Sequence, residues 1–255
     1  MTYGLPAFLL AVLLLAPNAR ATPAETGTFY RAGFYARVGP PGLLVDGELV
    51  SRVALAPKGG FLLENAHLDL GLALSLSPIH AGAGPVLELE PAAFLVLRAR
   101  FLAMSWFGTL DTRAASGYLA EVGGQLRLAL ADTGPVLLAE LRVAAVSSTV
   151  TERGREAFHD LVLEPFDRVL TSNAVLAWRF ADELAIGLRW ERTASLGLVA
   201  PRHTLAALVH APLYRCGRVA LTLDTVLGVY VLDEDHPPRE GRPFLGVALK
   251  IEGDL

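Results

Sequence analysis

Between His67 and Ser77 the chain reads HLDLGLALSLS, with Leu68, Leu70, Leu72, Leu74 and Leu76 at every second position. Strand side chains alternate between the two faces of a sheet. This segment is therefore a β-strand with one unbroken leucine face. Its other face carries only His67, Asp69, Gly71, Ala73, Ser75 and Ser77. The pattern returns along the chain. GQLRLALAD puts Leu126, Leu128 and Leu130 on one side, and NAVLAWRF does the same with Leu176, Trp178 and Phe180. LAIGLRWER aligns Leu184, Ile186, Leu188 and Trp190, and FLGVALKIE aligns Leu245, Val247, Leu249 and Ile251. In RVALTLDTVLGVYV, Val219, Leu221, Leu223, Leu227, Val229 and Val231 share a face. Few stretches show a helical period.

Turn residues divide the chain into about twelve strands, over 28–38, 43–56, 65–77, 84–90, 93–107, 117–131, 135–149, 168–180, 184–196, 202–212, 217–231 and 243–252, with ten as the alternative. From the fourth strand onward the connectors alternate in length. EPAA, DTGP, ADE and LYRCG are tight, while 108–116, 150–167 and 232–242 are longer and polar. That alternation predicts an up-and-down antiparallel meander with its tight turns at one end. GPPG, after the first strand, is tight where the rule asks for a long loop.

The decisive question is which face meets water. Opposite the apolar faces lie Asp69, Glu88, Glu90, Arg98, Arg100, Arg127, Glu140, Arg142, Arg179, Arg189, Glu191 and Asp224, and also Asp46, Glu48 and Arg52. They are mixed in sign and interleaved with Gly, Ala and Ser. As the outer surface of a soluble sandwich this face would be unusually small and poor in lysine, since the chain holds only Lys58 and Lys250. As the inside of a barrel it makes sense: small residues leave room for large ones, and Arg pairs with Glu or Asp. The leucine face then meets lipid. The expected strands, many of 11–15 residues, suit a tilted membrane strand, which needs about 9–11, better than a globular strand of about 5–6. Aromatic residues near strand ends, namely Trp106, Phe107, Trp178, Phe180, Trp190, Tyr214 and Tyr230, are placed for girdles at the headgroup level. Lipid offers no partner to an open sheet edge, so such a sheet must close.

The N-terminus agrees with export. LPAFLLAVLLLAP is too short for a membrane helix, and Ala19-Arg20-Ala21 follows it as a cleavage motif. The expected organisation is a signal peptide over 1–21 and one barrel domain over 22–255. The n-region departs from the usual pattern in having no Lys or Arg.

Taken together, the mature chain resembles bacterial outer-membrane β-barrel proteins, by pattern rather than by a family motif. Gly246, Leu249 and Ile251 resemble the C-terminal assembly signal of that class, although the chain ends in Leu255 where members usually carry an aromatic residue. The resemblance implies the outer membrane as location, its lipid as partner and the barrel-assembly machinery as a second partner. It leaves the oligomeric state open.

Composition narrows the chemistry. A net charge of −4 with no clustered basic face argues against nucleic-acid binding. The lone Cys216 allows no internal disulfide and is given no role. His203 and His210 are seven residues apart on one strand and so face opposite sides. His67 and Asp69 share a face as a hydrogen-bonded pair, but two ligands are too few for a closed metal site. No metal, cofactor or catalytic residue is assigned. The expected function is structural, or passage of small solutes through a narrow lumen of mixed charge, in which balanced signs give weak selectivity. Two other readings stay open. One is a membrane-embedded lipid hydrolase using His159 and Asp160 with Ser147, Ser148 or Thr151. The other is a soluble periplasmic sandwich or barrel that binds an apolar ligand.

Overall fold

The computed structural model describes residues 25–254, apart from 40, 57–62, 64, 108–113, 130–132, 150–153, 157–160, 199, 217–218 and 235–238. The expected signal peptide lies outside the described residues. Twelve antiparallel strands close into a barrel: β1 (Gly27–Val38), β2 (Gly42–Ala54), β3 (His67–Leu76), β4 (His80–Ala92), β5 (Leu95–Trp106), β6 (Ala115–Ala129), β7 (Gly134–Ser148), β10 (Phe166–Arg179), β11 (Ala185–Ser195), β12 (Ala200–Cys216), β13 (Val219–Asp233) and β14 (Pro243–Asp254). Two three-residue strands, β8 (Gly154–Glu156) and β9 (Leu161–Leu163), form a separate hairpin between β7 and β10. Each barrel strand pairs with its sequence neighbours, and β1 closes on β14 from Phe29↔Asp254 to Val38↔Leu245. The count is twelve rather than ten, and no backbone edge is left for lipid to desolvate.

The facing follows the alternation. On β3, Leu70, Leu72, Leu74 and Leu76 point outward, with Leu72 65% exposed, while Asp69, Ala73 and Ser75 are buried inside. Directly paired residues share a face, so the register carries this assignment around the barrel. Glu88↔Arg98, Arg98↔Gly123 and Gly123↔Arg142 all lie on the lumen side. Gly71 also faces inward, where the β2 backbone comes so close that a Cβ would sit 2.0 Å from the Leu49 carbonyl oxygen.

Several strand boundaries differ from expectation, and the following differences have a physical reason. The expected strand begins at Gly84, yet β4 reaches back through Gly82 to His80 and runs on through Pro85 to Ala92. Pro cannot donate to a ladder, and Gly84 and Pro85 have no ladder partner on the β5 side. β12 continues past Pro212 because the ladder slips by one residue between Pro212 and Tyr214. A second slip, between His203 and Thr204, lets β13 extend to Asp233. The segment 150–167, read as a loop, contains the β8–β9 hairpin.

At the end that carries the termini, the turns after β4, β6, β10 and β12 are short, as the connector lengths predict. The exception is the 55–66 connection, which is long and lies at that same end. The turn after β10 is a 3-10 turn, Ala181–Glu183, in which Glu183 adopts φ 63° and receives both Arg215 guanidinium nitrogens at 3.0 and 3.1 Å.

Among the expected girdle aromatics, Phe107, Trp178, Phe180, Trp190 and Tyr214 are exposed on the outside. Trp106 and Tyr230 are not. Trp106 packs against the apolar cluster inside the barrel, and Tyr230 is buried, with its ring 5.3 Å from that of Phe244.

Candidate functional site

The inward faces of β1–β5 meet in one charge network. Asp69 is fully buried and takes both oxygens' partners from arginines. Arg52 donates from Nε and Nη2 at 2.8 Å each, and Arg31 donates from Nη2 at 2.7 Å. Arg31 also reaches Glu88 on β4, at 3.1 Å, and Glu48 at 3.6 Å. Arg98 on β5 bonds back to Glu48 on β2 and lies 3.4 Å from Glu88. β1 is not a ladder neighbour of β4, nor β2 of β5, so these bonds bridge lumen space. Burying a charge is tolerable only with such full pairing.

Further round the wall, Glu121 lies 3.5 Å from Arg100 and 3.6 Å from Arg142, whose Nε lies 3.1 Å from Glu140. Arg189 bonds Glu191 and donates to Asn173 Oδ1 at 3.2 Å. Asp224 accepts from His210 Nδ1 at 2.6 Å and from Lys250 at 2.5 Å. Toward the end with the termini, Glu90 lies 3.5 Å from Arg127, which also bonds Gln125. Arg179 occupies the last ladder position of β10, opposite Ala185. All twelve candidate positions thus fall on lumen-side positions of the ladder. Asp69, Glu88 and Arg98 sit in the first network, Arg179 is placed by its ladder position, and the rest belong to the smaller groups described above.

Three members of the network were missed or passed over. Arg31 escaped because β1, GTFYRAGFYARV, has aromatic residues on both faces and no clean apolar side. Its parity with Gly33 and Tyr35 was the available signal. Glu48 and Arg52 lay on the correct face but were not selected.

Not all of the lumen is polar. Leu102, Met104, Leu119, Ala144, Val146 and Val169 face inward toward the end opposite the termini, and Leu163 of β9 packs onto them. The lumen there is a small apolar core. Asp167 holds the approach to it. Its carboxylate accepts from the backbone N–H of Arg168 at 2.7 Å and of Gly197 at 2.9 Å, and from Ser195 Oγ at 2.6 Å. Gly197 is required there, since a Cβ would sit 2.8 Å from Asp167 Oδ1.

His67 and Asp69 share the lumen side but do not hydrogen-bond. His67 Nδ1 donates to the Asn65 carbonyl at 2.6 Å, and its Nε2 lies 3.8 Å from Asp69. One ligand atom each from His67, Asp69 and Glu88 lies within 4.8 Å of the others, a spacing a metal ion can use. The donor set does not fit a cation: Asp69 is taken by Arg31 and Arg52, and Glu88 by Arg31 and Arg98. His203 lies outward, its ring 5.7 Å from Trp190, while His210 lies inward on Asp224. Cys216 is exposed in the last pair of β12.

Among the described residues no hydrolase set is assembled. Ser147 and Ser148 are consecutive on β7 and so face opposite sides. Thr151, His159 and Asp160 lie outside the described residues. A different His–Ser contact, His80 Nδ1 to Ser77 Oγ at 2.8 Å, is part of a turn in which Ser77 Oγ also accepts from the N–H of Ile79 and of His80. His80 is buried.

No family model matches the sequence, and no curated protein matches it. Solved structures do. The chain is similar to the transport unit of the autotransporter AIDA-I from Escherichia coli, at 8% identity over 98% of each chain and a TM-score of 0.50. It is also similar to the β domain of the Bordetella autotransporter Brka, at 13% identity over 91% of this chain and 100% of that one, with a TM-score of 0.49. The KdgM porin covers 89% of this chain and 99% of its own at 10% identity and a TM-score of 0.45. At such identities the likeness concerns fold, and the fold is that of bacterial outer-membrane β-barrels.

Proposed function

We propose that this protein is an outer-membrane barrel that passes small solutes through a narrow, charge-lined lumen. The observation that carries this reading is the accessible surface left inside the network. Arg31, Arg98, Arg142 and Arg189 pair with acids yet keep part of their side-chain surface accessible. A lumen packed shut at that level would leave none. Outside, Leu72, Leu176, Leu188 and Leu227 are more than half exposed and suit a lipid phase. Export by the N-terminal signal and insertion by the barrel-assembly machinery are part of the same reading.

The test is single-channel recording on protein refolded in detergent and reconstituted in a planar bilayer. A heat-dependent shift in gel mobility verifies closure beforehand. The reading predicts discrete conductance steps, small for a barrel whose side chains fill much of the lumen. A closed barrel with no steps above the bare-bilayer background contradicts passage and leaves a structural role.

A further inference from the structure

Lumen charges are nearly balanced in number but not in what water can touch. The carboxylates lie against the wall: Asp69 is 0% exposed, and Glu48 and Glu88 are 10%. Their partners reach inward, with Arg31 at 28% and Arg98 at 33%. Across the barrel the same order holds. Lys250 is 46% exposed over Asp224 at 17%, and Arg142 is 33% exposed over Glu121 at 8%. Glu140 and Glu191, at 23% and 21%, are the most open of the acids paired in this belt, and each lies beneath a more open arginine. Arg100 and Glu121 are covered equally, and Glu252, the next lumen position after Lys250 toward the end with the termini, is an exposed acid that departs from this order.

The cause is side-chain length. Asp and Glu place their charge within a few bonds of the wall, whereas Arg and Lys carry theirs on long stems and keep the head in water. A passing ion therefore meets guanidinium and ammonium groups first, with the compensating carboxylates behind them. Low-dielectric walls focus that field along the narrow path, and rings of Arg and Lys select anions in pores.

We infer that the lumen selects anions and offers guanidinium forks to small solutes carrying carboxylate or phosphate oxygens. This rests on the channel reading and corrects the weak selectivity that balanced charge counts alone predict. Arg98, Arg142 and Arg189 form its cationic surface along the middle of β5, β7 and β11, and Arg31 and Lys250 extend it onto β1 and β14.

The experiment is the reversal potential of the reconstituted wild-type protein in a gradient of potassium chloride. The expected result is a potential of the sign set by chloride. Adding sodium phosphate to one side should lower the chloride current, because the phosphate dianion competes for the same forks. In Arg142→Gln, and separately in Lys250→Gln, the potential should move toward zero. Each variant is first shown to fold by its mobility shift, and the wild-type sign stands as the test even if neither folds. A conducting barrel with a zero or cation-signed potential overturns the inference and leaves the channel reading intact. A closed barrel without conductance overturns both.

Discussion

At the residue scale, the account depends on which side of the wall each side chain meets. Leu72 is on the lipid face of β3, and Leu72→Arg should cost roughly 2–4 kcal/mol if it lies near the bilayer midplane. The lumen control must avoid Gly71, where any side chain strikes the Leu49 carbonyl. Gln125 serves instead: it faces inward, opposite Glu140. Gln125→Arg loses the bond from Arg127 but faces Glu140 and carries no lipid penalty, so it should cost less than Leu72→Arg in urea unfolding from lipid vesicles, and equal losses at both positions would argue against the facing. Asp69 supplies the second test. Removing one partner of a fully buried pair costs roughly 3–5 kcal/mol. Arg31 and Arg52 retain some water, so Asp69→Asn should lose about 2–3 kcal/mol by the same measurement. A loss within error would mean that Asp69 does not anchor the network.

Among the elements, the strands with a strict two-residue period were legible and the irregular ones were not. β3, β7, β11 and β14 lie close to where the alternation places them, because one face must meet lipid along the whole strand. β4, β12 and β13 run further than expected. Pro85 and Pro212 each lack a donor and the β12–β13 ladder slips near His203, yet a barrel tolerates a missing donor or an extra residue when the other ladder holds the strand. Face assignment was legible, and partner choice was not. Nothing local shows that Arg31 meets Asp69 and Glu88, since those contacts depend on barrel closure. The apolar interior under Leu163 was likewise invisible, because it depends on a hairpin inside a polar connection. Asp167 should govern that region. Asp167→Ala removes acceptors from Gly197, Arg168 and Ser195, so amide exchange at Gly197 and Arg168 should quicken while the heat-dependent mobility shift persists. Unchanged exchange would show that the turn holds without the carboxylate.

For the whole molecule, closure links the outer and inner surfaces. The β1–β14 ladder leaves the barrel sheet without an edge toward lipid, and the same closure brings distant strands near enough for Arg31 and Arg98 to bridge the lumen. A soluble sandwich built from the same strands would instead bury the leucine faces against one another. The two architectures differ most directly in what Leu72 and its neighbours touch. The decisive measurement is a nitroxide scan of positions 68–76 in lipid vesicles, Asp69 and Gly71 left out, one label at a time, in a Cys216→Ser background. Oxygen, which concentrates in lipid, should collide most with labels at 70, 72 and 74 and least with labels at 73 and 75. Uniformly low oxygen access at the leucine positions would contradict the membrane barrel and place those side chains in a protein core.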